Sequence, residues 1–302
     1  MRSPAAIGSA VPPWALAVGS MSSVQLGSAL SVPMIAAIGP AGTAWLRLTM
    51  GALIFMVITR PPLRQVRRAD LPALLGLGIT TGLATMAFLA AIERIPLGTA
   101  VAIDFLGPLT VAAVRSSSRR ALAWPLLALV GVVLLTEPWQ GEFDAVGVGF
   151  AAIGAAGWGI YILLTQQVGD RFAGISGLSL TVPIAAITAA FLGVPQAAGH
   201  LTVGLLVAAV GLAVLLPVLP YALEMLALRR MTHSAFGTLM AAEPAIAAVL
   251  GLLVLQQVPS SGQVVGICLV VVAGAGAQRG GRRDPVPISA QAQPSGDYDL
   301  LG

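Results

Sequence analysis

Four ionisable residues, Arg47, Asp104, Glu224 and Glu243, each interrupt an apolar stretch long enough to cross a bilayer. A charge at membrane depth is expensive, so it faces a protein interior or a water-filled path. Side chains placed in this way bind and release charged ligands. Their placement points to moving something polar across a membrane rather than to a soluble reaction.

Each of the four has a functional and a structural reading. Asp104, in IPLGTAVAIDFLGPL, sits about seven residues into its span, roughly 10 Å below the outer surface. It suits a proton or substrate-ammonium site; alternatively, a neighbouring backbone group or Arg satisfies it. Glu243, in FGTLMAAEPAIAAVLG, sits about eight residues in, roughly 12 Å from the inner side, with Pro244 directly after it. Proline frees a carbonyl one turn back, and a charge beside such an irregularity resembles the broken-helix sites of transporters. The structural alternative is a kink with Glu243 in a salt bridge. Glu224, in LPYALEMLAL, lies near the end of its span, with Tyr221 one helical turn earlier, Pro217 and Pro220 before it and Arg229 and Arg230 after. An ion pair with those arginines competes with a functional role. Arg47, in AGTAWLRLTMG, is the only basic side chain well inside a span. It either forks onto a substrate carboxylate or acts as counter-charge to Asp104 or another carboxylate.

Polar and aromatic residues at membrane depth complete the candidate set. Trp158 and Tyr161, in GAAGWGIYILLT, share a helix face; aromatics there line a cavity and attract an ammonium, or simply pack. Gln25, in SSVQLGSAL, is a candidate cavity-lining residue. The pairs Gly78/Gly82 and Gly262/Gly266 read as close helix packing and nothing more.

Composition excludes other chemistries. Of 302 residues, 57% are hydrophobic and only 9% charged, against roughly 25% in a soluble domain. All 16 basic residues are Arg, which excludes lysine nucleophiles and Schiff bases. The arginines lie in short loops without interleaved aromatics, so nucleic acid is not an expected partner. Cys268 is the only cysteine, and the two histidines, His200 and His233, sit near span ends, so no metal site or cofactor is expected. An intramembrane enzyme would need a nucleophile–base pair or metal ligands; neither HExxH nor GxGD occurs.

These residues must be held by helices of about 20 residues. Ten apolar segments fit, at about 14–36, 41–59, 71–92, 97–114, 121–136, 145–167, 175–193, 202–227, 235–255 and 260–278, with Pro125 kinking the fifth or marking its start. The first reads as an uncleaved membrane helix. Arginines concentrate in the loops after even-numbered spans, which makes those loops and both termini cytoplasmic. Residues 279–302 read as a disordered cytoplasmic tail. Five spans per half require two related halves to be inverted. A shift of 136 residues supports this weakly. It superposes Arg94 on Arg230, Gly107-Pro108 on Glu243-Pro244 and Gln25 on Tyr161, with five identities over residues 80–114.

IPLGTAVAIDFLGPL, GWGIYIL, LPYALEMLALRRM and FGTLMAAEPAIAAV resemble the drug/metabolite transporter superfamily with two EamA domains, most of all its threonine/homoserine exporter type. The resemblance covers about residues 12–278. It implies an all-α membrane protein of ten helices, in two inverted five-helix repeats (12–136 and 145–278) around a central cavity. It also implies proton-driven efflux of threonine, homoserine or similar small amino acids through the cytoplasmic membrane. The halves differ where it matters: Gly107 stands opposite Glu243, and Met240 opposite Asp104. A zwitterion needs Arg47 or a helix N-terminus for its carboxylate, and Asp104 or Glu243 for its ammonium. Export of other metabolites or drugs of the superfamily is the alternative, and oligomeric state stays open.

Overall fold

The computed structural model describes residues 11–59, 61, 63–115, 122–140, 144–172, 176–228, 230–231 and 233–280. Among them every regular element is helical. The helical stretch Pro13–Thr59 turns at Gly39 into α1 (13–38) and α2 (40–59). There follow α3 (Leu71–Ile92), α4 (Leu97–Asp104), α5 (Leu106–Val114), α6 (Ala123–Thr136), α7 (Ala145–Arg171), α8 (Ser176–Ala197), α9 (Val203–Ala213), α10 (Leu219–Leu228), α11 (His233–Met240), α12 (Glu243–Leu255) and α13 (Ser261–Gly280). The tail expected over 279–302 lies, beyond residue 280, outside the described residues.

Seven helical stretches are long and apolar enough to cross a membrane, and Ala123–Thr136 and Ser261–Ala277 are shorter apolar helices. At 47 residues, Pro13–Thr59 would extend roughly 70 Å if straight, over twice the hydrocarbon thickness. Gly39 ends that run in a left-handed conformation, φ 71°. A Cβ there would lie 2.1 Å from Cδ of Gln196, whose Oε1 accepts the Gly42 N–H at 2.9 Å. Large apolar side chains such as Val57 and Phe191 face outward, while alanine and glycine fill much of the interior. That distribution suits a lipid solvent, where close backbone approach replaces a hydrophobic driving force. Gly78 and Gly82 meet α8 at Ile184 and Ala185, and Gly266 meets Gly131 of α6. The small-residue spacing therefore serves internal packing.

Three helical stretches are interrupted. α4 gives way to α5 at Phe105, and α11 to α12 at 241–242, where Pro244 occupies the first turn of α12. A proline there removes an N–H that has no helical partner in any case. Between α9 and α10 the stretch Val214–Val218 contains an extended Leu216 (φ −157°, ψ 111°) before Pro217. Pro125 falls in the first turn of α6 and marks its start.

Helix boundaries recur at the 136-residue spacing. Leu97–Asp104 shifted by 136 is His233–Met240, and the end of α3 at Ile92 shifts to the end of α10 at Leu228. The start of α2 at 40 shifts to the start of α8 at Ser176. Packing follows the same relation. Pro13–Thr59 packs against α8 and α6 against α13, and the packing of α3 against α7 is matched by that of α10 against Pro13–Thr59. α4 also packs against α12, yet among the described residues no comparable packing joins α5 to α11, the pair the shift relates to them.

Candidate functional site

A cavity of about 290 Å³ lies among α1, α2, α3, α4, α7, α8, the Val214–Val218 stretch and α12. Gln25, Arg47, Asp104, Trp158, Tyr161 and Glu243 all line it. These six come from five helices, and the closest in sequence apart from Trp158 and Tyr161 are over 20 residues apart.

Glu243 is the first residue of α12 and is 5% exposed. Free N–H groups and the helix dipole favour a negative charge at that end. Gln25 Nε2 donates to Glu243 Oε1 at 3.0 Å, and Glu243 Oε2 has no donor among the described residues. Neither Glu243 nor Asp104 forms a salt bridge among the described residues. Asp104 is the last residue of α4, with Phe105 alone between it and α5, and its buried Oδ1 has no donor among the described residues. α7 comes close because residue 154 is glycine: a Cβ there would sit 2.8 Å from Asp104 Oδ1. Asp104 and Glu243 face the same cavity.

Arg47 is 4% exposed and donates from Nη1 to Ser31 Oγ at 3.4 Å. Ser31 Oγ can accept because its own proton goes to Gly27 O at 2.7 Å. No carboxylate of the described residues lies in ion-pair range of Arg47. The guanidinium is therefore a buried cation without a fixed protein anion, not the counter-charge of Asp104. Trp158 packs edge-on against Phe105, ring centroids 6.1 Å apart, which sets its indole beside the α4–α5 break.

Glu224 and Tyr221 do not line the cavity. Glu224 Oε1 accepts from Ser20 Oγ at 2.9 Å. Arg230 does not pair with it but donates to Val11 O at 3.1 Å; Arg229 lies outside the described residues. Its partner Ser20 lies on α1, the helix that carries Gln25 to the cavity.

Several lining residues escaped the sequence reading. Ser28, Thr81 and Thr181 spend their hydroxyl protons on carbonyls one turn back, Val24 O, Leu77 O and Gly177 O. Their lone pairs remain as acceptors. Thr81 had a signal: the 136 shift pairs it with Pro217, and both line the cavity, as do Gln25 and Tyr161. The difference between the halves also acquires a cause. A Cβ on Gly107 would lie 2.0 Å from Ala155 O, so the α7 backbone fills the place a carboxylate takes at Glu243. Among the described residues no cluster of three His, Cys, Asp or Glu could hold a metal.

Comparison with known proteins follows the same direction. Residues 145–276 match the EamA-like transporter family. The chain is 36% identical over 270 residues to the threonine/homoserine exporter RhtA of Salmonella typhimurium (strain LT2), covering 88% of this chain and 91% of that protein. It is 35% identical over 267 residues to the threonine/homoserine exporter RhtA of Escherichia coli (strain K12), covering 85% and 88%. A solved crystal structure superposes with a TM-score of 0.58 at 19% identity, over 87% of this chain and 96% of that one, a likeness of fold alone.

Proposed function

We propose that this chain, which belongs to the EamA-like transporter family and is a multi-pass transporter of the inner membrane rather than an enzyme, exports small amino acids such as threonine and homoserine in exchange for protons. One observation carries the reading: one cavity holds a buried guanidinium with no carboxylate partner among the described residues, and two carboxylates at helix breaks. A zwitterion has the complementary pair of charges. The names of the relatives supply the substrates to test first.

In this reading Arg47 receives the substrate carboxylate by a forked hydrogen bond. Asp104 and Glu243 serve the ammonium and the exchanged proton, with Gln25 holding Glu243. Trp158 and Tyr161 offer aromatic faces to the cation. Glu224 and Tyr221 lie on the cytoplasmic route to the cavity. A cavity of about 290 Å³ sits at the bottom of the range for drug-sized ligands, roughly 300–1,000 Å³, and favours a small metabolite over a drug.

The chain crosses the membrane ten times, α1 and α2 counting separately and the shorter α6 and α13 included. The two five-helix halves, 12–136 and 145–278, are inverted, with both termini cytoplasmic. The recurrence of helix ends at 136 residues and the related packing pairs support this arrangement. In that orientation α4 and α12 form the outer half of the molecule, and their packing favours a form closed outward. Rocking would exchange that contact for one between α5 and α11.

The test is efflux of labelled threonine and homoserine from preloaded cells, with and without the chain, before and after collapse of the proton gradient. Faster efflux that vanishes with the gradient is expected. Unchanged efflux from cells that demonstrably insert the protein overturns the amino-acid assignment.

A further inference from the structure

Three oxygen atoms around the cavity share one property. Gln25 Oε1, Asp104 Oδ1 and Glu243 Oε2 are buried, and none has a donor among the described residues. They come from α1, α4 and α12, and all three residues line the same cavity. An ionised Glu243 can only accept, so it takes the NH2 group of Gln25 and leaves the amide oxygen free on the other side. The hydroxyls of Ser28, Thr81 and Thr181 add no donors, because their protons are held by backbone carbonyls. A buried acceptor without a donor is costly, and three in one place are costlier still.

We infer that Gln25 Oε1, Asp104 Oδ1 and Glu243 Oε2 form one subsite for a primary ammonium group, each accepting one of its three N–H donors. The assignment rests on the amino-acid reading above and narrows it. It makes Gln25 a binding residue as well as the residue that orients Glu243. It also makes the number of N–H donors, and not charge alone, a determinant of specificity. A dimethylated amine keeps its charge but leaves two acceptors unsatisfied. An alkali cation has related ligand chemistry, and the test separates the two.

The experiment uses purified full-length protein in proteoliposomes with an imposed proton gradient. Unlabelled competitors of threonine transport lose N–H donors stepwise, two remaining in N-methylthreonine and one in N,N-dimethylthreonine, while the 2-hydroxy acid keeps one donor and loses the charge. Competition should fall roughly tenfold or more per lost donor. In Gln25→Met, similar in length but without the amide acceptor, threonine itself should weaken roughly tenfold, and its advantage over N-methylthreonine should shrink towards one. Equal competition by N-methylthreonine in the unaltered protein overturns the inference, as does an unchanged threonine to N-methylthreonine ratio in Gln25→Met. Loss of transport when choline replaces sodium at a constant proton gradient also overturns it, in favour of an alkali ion. If threonine is not transported at all, the functional reading fails, and the subsite is judged by binding alone. Methylammonium should then raise the melting temperature of the detergent-solubilised protein and tetramethylammonium should not. Equal effects of the two overturn the subsite.

Discussion

Asp104 closes α4 and Glu243 opens α12, so two mutually packed half-helices present one carboxylate from a C-terminus and the other from an N-terminus. The start of α12 offers free N–H groups to Glu243, whereas Phe105 alone, itself helical, separates Asp104 from α5, so Asp104 meets no such helix end. The two acids are not interchangeable, although both face one cavity.

Neutralising them separately should give different failures. Glu243→Gln should abolish gradient-driven export, and Asp104→Asn should weaken substrate binding at least tenfold. Efflux with and without a proton gradient, alongside substrate competition in proteoliposomes, checks both. Full retention of gradient-driven export in Glu243→Gln removes Glu243 from coupling.

Arg47 differs from a lysine in its planar fork, which matches a carboxylate with two parallel bonds. Arg47→Lys should insert and fold but raise the half-saturating substrate concentration by roughly tenfold or more, and Arg47→Ala should leave no measurable export. A transport assay over a substrate concentration series reads both. Because Arg47 has no anion partner among the described residues, neither change strands a buried protein carboxylate.

The wall formed by α7 makes opposite demands at two glycines. Gly107→Ala puts a methyl 2.0 Å from Ala155 O, a backbone atom that cannot step aside. It should lower stability by about 1–3 kcal/mol, seen as a lower melting temperature in detergent. Gly154→Ala puts a methyl 2.8 Å from Asp104 Oδ1, at the end of a side chain that can rotate. It should keep its melting temperature and lose transport.

Outside the spans, Asp144 caps α7 by accepting the Gly147 N–H at 2.8 Å and pairs with Arg94 at 3.0 Å. The Gly147 hydrogen bond, followed by Arg94, holds its carboxyl below the usual range. A group whose value is lowered on folding stabilises the fold at neutral pH. That contribution fades as pH falls through the lowered value. Asp144→Asn should therefore reduce the melting temperature at pH 7, and the difference from the unaltered protein should shrink below about pH 4. A melting series across pH measures this directly.

Hydropathy and charge position made the membrane class and the isolated buried charges legible. Each is a local property, readable from some 20 residues at a time. The breaks at Pro217 and near Pro244 were legible for the same reason, since proline acts on its own turn. The break at Phe105 has the same cause, since Pro108 lacks the N–H that would pair with the Asp104 carbonyl, but it went unread because the apolar run continues across it.

By itself, then, the sequence determined a chain of apolar spans, where each charge interrupts them, and which residues have the chemistry to bind a zwitterion. The tertiary structure decided which of those residues meet. It joined Gln25 to Glu243 across 218 positions, left Arg47 without a carboxylate in ion-pair range among the described residues and set Glu224 against Ser20, away from the cavity lining. It also filled the site opposite Glu243 with the backbone of α7 at Gly107. The reason is physical: insertion depends on the apolar surface of one span at a time, whereas a cavity is what remains after distant helices pack.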